Sequence, residues 1–216
     1  THDRRPLSPL IQYSAVRIAL ESLGYQSVAF ETGYPPINVE DAERFLSPRP
    51  GNGLTRFELM FLRSTAGLTV LDSVEVVDRE LARVLDNPDD NTRVRVLFTF
   101  GELENLAKKP GSKYTYAHIV SPHYPFLFDA VGRPIDDKLA GGGVAREGYA
   151  DQARFVSRRT LQMLEAIIAG SEIDPIILLQ ADHGPSWDLR EERMRILSAY
   201  RFPGADQVID PSITPV

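Results

Sequence analysis

The chain contains no cysteine, which excludes disulfides, thiolate metal ligands and a cysteine nucleophile. It also has no apolar run near the ~20 residues that a membrane helix needs. Basic residues are fewer than acidic ones, 24 against 30, and the formal net charge is −6. The densest basic spots are pairs such as Lys108-Lys109, too short to follow a phosphate backbone. These absences predict a protein without a nucleic-acid partner.

The composition is otherwise that of a globular protein, with 43% hydrophobic and 25% charged residues among 216. This length suits one good-sized domain. The chain begins at Thr1 rather than Met and stops at Val216 without a polar tail. We therefore expect residues 1–216 to be a single domain that is incomplete at its N-terminus.

Helix and strand patterns alternate along the chain, which indicates the α/β class. Ser8-Pro9 is a helix start and Gly24 a helix end. The segment 92–108 fits a helix, although Val94, Val96 and Phe98 also alternate as in a strand. The patterns predict helices over 8–23, 72–85, 92–108 and 147–169, with a further candidate over 55–63, and strands over 25–31, 114–120 and 175–181.

Two elements of the second half bear on function. In the helix over 147–169, one buried stripe is predicted at Tyr149, Ala153, Val156, Thr160, Met163 and Ile167. The apolar run 175–181 is typical of a strand covered on both faces. Asp182-His183-Gly184 lies at its C-terminal end, where ligands bind in open α/β sheets.

Asp182 and His183 are candidate metal ligands. A carboxylate oxygen and an imidazole nitrogen suit Mn, Zn or Fe, and are less typical for Ca or Mg. Adjacent residues reach one ion only if the backbone turns sharply, and we expect Gly184-Pro185 to supply that turn. The alternative is structural: Asp182 would cap a turn and His183 would be a surface loop residue.

Two histidines follow the strand over 114–120. His123 lies between Pro122 and Pro125, which restrict the backbone, and could bind an anionic oxygen or transfer a proton. It could equally be an ordinary turn histidine. His118 falls within the predicted strand, where a core histidine or a support for a neighbouring ligand is the better interpretation.

Three motifs taken together resemble a known family. They are YTYAHIVSPHYPFLFDAVG, EGYADQARFVSRRTLQMLEAIIAG and PIILLQADHGP, in this order. They are similar to the second half of sulfatase-like domains of the alkaline-phosphatase superfamily, a group that includes lipoteichoic acid synthases and phosphoethanolamine transferases. GYQSVAFETGY and AYRFPG are looser matches. Only 114–184 is a specific match.

The resemblance implies a fold, a cofactor and a site. The fold would be a three-layer α/β/α domain with a mostly parallel sheet, of alkaline-phosphatase type. Asp182 and His183 would be paired ligands of a divalent metal ion (Mn, Zn or Ca), weakly bound by this half-site. His123 would be the catalytic residue that contacts a sulfate- or phosphate-ester substrate. The family's acidic strand-end ligand and its nucleophile have no match here, so we expect this chain alone to be inactive.

Three functional hypotheses stay open at this point. The first is part of a metal-dependent sulfatase-like hydrolase, or of a phosphoryl or sulfuryl transferase. The second is a non-catalytic module that keeps the fold without the nucleophile and full metal site. The third is an unrelated α/β domain. By the same resemblance, a longer parent would carry upstream membrane helices and present this domain outside the cytoplasm.

Overall fold

The structure is a computed structural model that describes residues 8–48, 88–135, 144–185 and 193–204. The predicted helix over 72–85 and the candidate helix over 55–63 lie outside these ranges. Two short helices, α1 (Ser8–Gln12) and α2 (Ala15–Ser22), occupy the predicted segment 8–23. They are separate because the Ser14 side chain accepts a hydrogen bond from the Arg17 backbone N–H at 3.2 Å and caps α2.

A parallel three-stranded sheet follows. It consists of β1 (Gln26–Phe30), β2 (Arg44–Leu46) and β3 (Lys113–Tyr116), in the order β2-β1-β3. Val28 of the central strand is in register with Arg44 on one side and Thr115 on the other. Between β1 and β2 lies a 3₁₀ turn, Pro35–Ile37. The predicted strand over 25–31 is confirmed, and that over 114–120 is shorter than predicted.

Two long helices make the main core. They are α3 (Pro88–Ala107) and α4 (Val144–Gly170). The helical interpretation of 92–108 is confirmed. α3 packs on one side against Val28 and Phe30 of the sheet, and on the other against α4. The core between the two helices contains Val96, Phe100, Leu127, Phe128, Phe155 and Met163.

The buried side of α4 differs from the predicted stripe by about one residue. Its most buried members are Gln152, Phe155 and Met163, of which only Met163 was predicted. Val156 and Ile167, also predicted, pack against the same core while partly exposed. A fully buried glutamine gives no hydrophobic signal, and this explains why periodicity placed the stripe off centre.

The last two strands form a separate antiparallel pair, β4 (Ile177–Gln180) with β5 (Ser198–Arg201). The prediction of a strand covered on both faces is wrong for β4. Leu178 is 63% exposed and Ile176, just before the strand, is 67% exposed. Apolar composition alone could not show this, because exposed and covered strands can have the same composition.

The described residues therefore combine helices with a parallel sheet, and the α/β class is confirmed at this level. In the part of the chain that the structure describes, no helix has both the length and the apolar character needed to cross a membrane.

Candidate functional site

The backbone of Asp182-His183 continues the pairing of β4 beyond Gln180, the last residue of the strand. The Ala181 N–H donates to the carbonyl oxygen of Leu197 at 2.9 Å, and the Gly184 N–H donates to that of Arg193 at 2.7 Å. A turn centred on Gly184-Pro185 would include residues beyond 185, which lie outside the described ranges, so this turn stays a prediction. Within the described residues, pairing with 193–197 holds the two candidate ligands.

The two side chains nevertheless approach each other. His183 Nε2 lies 3.6 Å from Asp182 Oδ2, while the other carboxylate oxygen, Oδ1, accepts the His183 backbone N–H at 2.7 Å. Two ligand atoms that each lie about 2.1 Å from one ion are roughly 3.0–3.6 Å apart at bond angles between 90° and 120°. The pair has the spacing of two ligands of one metal ion.

The far side of the His183 ring favours the same arrangement. Nδ1 lies 2.8 Å from the carbonyl oxygen of Gly184, to which it can only donate. A neutral imidazole that donates from Nδ1 carries its lone pair on Nε2, the atom that faces Asp182. This tautomer is assigned from the 2.8 Å contact with Gly184, whereas the donor-only Nη2 of Arg193, 3.3 Å from the same Nδ1, would need the opposite tautomer.

Arg193 is a neighbour that the sequence did not identify. Its guanidinium Nη2 lies 3.3 Å from His183 Nδ1, and its Nε donates to the carbonyl oxygen of Gly184 at 3.4 Å. Arg193 lies in the charged run EERMR, so nothing in the sequence distinguishes it from its neighbours. A positive charge beside the imidazole lowers the affinity of the site for a cation.

His123 lies on a loop that is fastened to α4. Gln152, 2% exposed, accepts hydrogen bonds from the backbone N–H groups of Leu127 at 2.7 Å and Phe128 at 3.3 Å. Its side-chain NH₂ group donates to the carbonyl oxygen of His123 at 3.1 Å. The His123 ring itself is exposed, with Nδ1 2.5 Å from the carbonyl oxygen of Tyr124. The loop is anchored and the imidazole is accessible.

His118 lies beyond the C-terminal end of β3, not within a strand as predicted. It lines a narrow cleft with Glu31, Thr32 and Arg95. Burial lowers the pKa of the His118 imidazole, and the negative charge of Asp182 raises it in part. That His118 supports a neighbouring ligand stays a prediction.

The structure brings Asp182 and His183 together but does not assemble a complete metal site. In the described ranges, no three His, Asp or Glu residues form a group that could hold an ion. Within the same ranges, no hydrogen bond or ion pair joins His123 to either candidate ligand. That His123 faces the same ion stays a prediction.

Comparison with known proteins gives no relative: no family model, no curated protein and no solved structure matches the chain.

Proposed function

We propose that this chain is part of a metal-dependent sulfatase-like hydrolase, or of a phosphoryl or sulfuryl transferase, that acts on sulfate or phosphate esters. A three-layer alkaline-phosphatase-type fold and a place outside the cytoplasm belong to the same proposal. Both rest on the resemblance of the three motifs. The parallel β2-β1-β3 sheet with helices packed on it is compatible with that fold.

One observation carries the proposal. Asp182 Oδ2 and His183 Nε2 lie 3.6 Å apart, and His183 Nδ1 is turned to the carbonyl oxygen of Gly184. The donor set of one carboxylate and one neutral imidazole fits a divalent transition metal. The neighbouring Arg193 and the absence of a third ligand in the described ranges agree with weak binding by this half-site alone.

Each proposed residue has a distinct role. A divalent ion held by Asp182 and His183 would supply positive charge beside the ester's anionic oxygens. His123, on its anchored loop, would donate a hydrogen bond from Nε2 to an ester oxygen as an imidazolium, because its Nδ1 already donates to the carbonyl oxygen of Tyr124. The nucleophile and a further acidic ligand would come from residues that have no match in this chain.

A second candidate is a non-catalytic module with the same fold. It is favoured by the lack of a third ligand near Asp182 and His183 in the described residues. In such a module the Asp182–His183 contact would be a hydrogen-bonding feature of the loop, and no ion would bind there.

Mn²⁺ binding distinguishes part of a metal-dependent enzyme from a non-catalytic module. A paramagnetic ion at the pair should broaden the nuclear magnetic resonance signals of residues 181–184 before those of other residues. Asp182→Asn or His183→Gln should weaken Mn²⁺ binding at the pair by about tenfold or more. Even mutation of the hydrogen-bond partners of metal ligands changes metal affinity by roughly 10–100-fold.

Asp174→Asn is the matched control. Asp174 is a half-exposed carboxylate that forms an ion pair with Arg201, the last residue of β5. Its loss should leave the Mn²⁺ effect on residues 181–184 unchanged. Equal broadening at many exposed carboxylates, insensitive to Asp182→Asn, would refute the half-site and favour the module.

A further inference from the structure

A cavity lies between the first two helices and the face of the parallel sheet that points away from α3. Val28 and Phe30 of β1 pack against α3, so the alternate residues Ser27 and Ala29 point to the opposite face. Serine and alanine are the smallest side chains of this strand, and a space of about 170 Å³ is left between the sheet and α1 and α2. Ser27 and Ala29 are each 1% exposed, so they form a closed floor.

The walls of this cavity are apolar and mainly aromatic. Tyr114 and Tyr116 of β3 are two residues apart, so their side chains lie on the same face of the sheet, and both residues pair with the floor residues of β1. Ile11 of α1 and Ala42, which follows the 3₁₀ turn, also line the cavity. All four residues are partly exposed, so they are the surfaces available to a guest.

Arg17 is the charged residue among the described residues that line the cavity, and its guanidinium is already engaged. Nε donates to Glu21 Oε1 at 2.8 Å. Nη1 donates to Asp41 Oδ1 at 2.9 Å and to the carbonyl oxygen of Gln12 at 2.8 Å. Nη2 donates to the carbonyl oxygen of Asp41 at 3.0 Å. Two carboxylates thus face one guanidinium, and the surplus negative charge opposes an anionic guest.

The serines of the lining are engaged as well. Ser14 Oγ accepts the backbone N–H of Arg17 at 3.2 Å, and Ser27 Oγ accepts that of Glu43 at 3.0 Å. Burial raises the pKa of the Tyr116 hydroxyl, which therefore stays neutral. A buried water molecule needs about two to four polar partners, and polar groups that already bond to one another hold it weakly. An apolar guest would displace such water at little cost.

We propose that this cavity is a binding site for a small aromatic compound with one ring and no charge. An apolar cavity of about 150 Å³ in another protein binds benzene, so the space here is sufficient for one ring. Edge-on or offset contacts with Tyr114 and Tyr116 favour an aromatic guest in particular. Asp182, His183 and His123 are not among the described residues that line the cavity, so this binding does not depend on the proposed function.

The test is titration of the unmodified chain with benzyl alcohol, followed through the nuclear magnetic resonance signals of the Tyr114 and Tyr116 rings. We expect a saturable shift of both signals, with a Kd on the order of 1 mM for a ring of this size. Benzoate has nearly the same size but carries a carboxylate. It should bind at least about tenfold more weakly, because its charge would lose water and meet the surplus charge of Glu21 and Asp41.

Two variants locate the binding. Ala42→Phe places a ring in the cavity itself and should weaken benzyl alcohol binding by about tenfold or more, whereas Ala19→Phe adds the same ring at an exposed position of α2 and should change nothing. Tyr116→Leu guards against a folding failure in Ala42→Phe: it keeps an apolar wall without the ring and should weaken binding by about two- to tenfold.

Three results would overturn the proposal. The first is a Tyr116 signal that does not shift, or that drifts without saturation like that of the exposed Tyr13. The second is equal binding of benzoate and benzyl alcohol, and the third is binding that Ala42→Phe and Tyr116→Leu leave unchanged.

The outcomes separate this proposal from the proposed function. Benzyl alcohol binding without an Mn²⁺ effect at residues 181–184 would keep the aromatic site and refute the metal pair. An Mn²⁺ effect without a saturable response at Tyr114 and Tyr116 would keep the metal pair and refute the aromatic site.

Discussion

Gln152 and His123 are joined by a hydrogen bond from a buried side-chain amide to a backbone carbonyl oxygen, 3.1 Å long. The same amide oxygen accepts from Leu127 and Phe128. One side chain of α4 therefore fixes the path of the loop that carries the candidate catalytic histidine, while the imidazole stays exposed.

Replacing Gln152 by Ala should destabilise the fold strongly. Two buried N–H groups, of Leu127 and Phe128, would lose their acceptor, and we expect a loss of about 2–4 kcal/mol in the free energy of unfolding. Urea unfolding measures this. Gln162→Ala, an exposed position on the same helix, should stay within about 0.5 kcal/mol of the unmodified chain. Equal effects at the two positions would contradict the anchoring role.

Gly132 should tolerate alanine far less than Gly111. Both have positive φ, +92° and +91°. A Cβ at Gly132 would lie 2.3 Å from the ring of Phe155, which is in the core, whereas at Gly111 nothing lies within 4 Å. We expect Gly111→Ala to cost about 1–2 kcal/mol from backbone strain. Gly132→Ala adds overpacking, for about 2–4 kcal/mol in total by chemical denaturation. Similar losses would show that the Phe155 ring moves aside freely.

Arg17 should couple stability to acid pH through Asp41. Its buried guanidinium donates to Asp41 Oδ1 at 2.9 Å, and this hydrogen bond lowers the pKa of the Asp41 carboxyl. A lowered folded-state pKa stabilises the fold above the ordinary carboxyl value of about 3.9. That contribution disappears as the pH falls through the folded-state pKa. The unmodified chain and Asp41→Asn should therefore differ less in their free energy of unfolding below about pH 4 than above it. Urea unfolding across that range measures this difference.

A variant at Arg17 provides the complementary result. Arg17→Met removes the partner of Asp41 and Glu21 and should cost about 2–3 kcal/mol at neutral pH, less than for a fully buried pair because both carboxylates are partly exposed. In the Arg17→Met background, the pH-dependent gap caused by Asp41→Asn should be lost. A gap that persists there would mean that another group stabilises the Asp41 carboxylate.

His118 should make the fold less stable in mild acid. Its pKa is lowered by burial, so the folded state keeps the imidazole neutral while the unfolded chain protonates near pH 6.5. The stabilisation is fully present above about pH 6.5 and is lost as the pH falls through the lower folded-state pKa. Unfolding measured at pH 7.5 and at pH 5.5 should show that the free energy of unfolding falls more for the unmodified chain than for His118→Asn.

The Asp182 carboxylate should be visible in the His118 titration. Because its charge raises the pKa of His118 in part, Asp182→Asn should lower that pKa further. Nuclear magnetic resonance titration of the ring protons measures it, with Asp174→Asn as the control. An unchanged titration in Asp182→Asn would place the two side chains too far apart to share a site.

The sequence predicted the helices and strands better than the contacts around them. Helical spacing identified α3 and α4, since it acts within a few residues, but α3 begins at Pro88 and α4 at Val144, before the predicted starts at 92 and 147. The exposure of β4 was missed because it depends on which strand lies beside it. The anchoring role of Gln152 was missed because its hydrogen bonds go to backbone groups about 25 residues away. At the candidate site, the sequence shows that Asp182 and His183 are adjacent, but the approach of Arg193 depends on how residues 181–184 pair with 193–197.

The separate β4–β5 pair affects how often the backbone around the candidate site opens. An isolated two-stranded pair is only marginally stable, so the amide protons of Ala181 and Gly184, bonded to Leu197 and Arg193, should exchange with deuterium together and early. The amide of Leu127, held inside the core by Gln152, should exchange only when the whole fold opens. Asp182 and His183 would thus be released from their neighbours many times during each lifetime of the loop that carries His123.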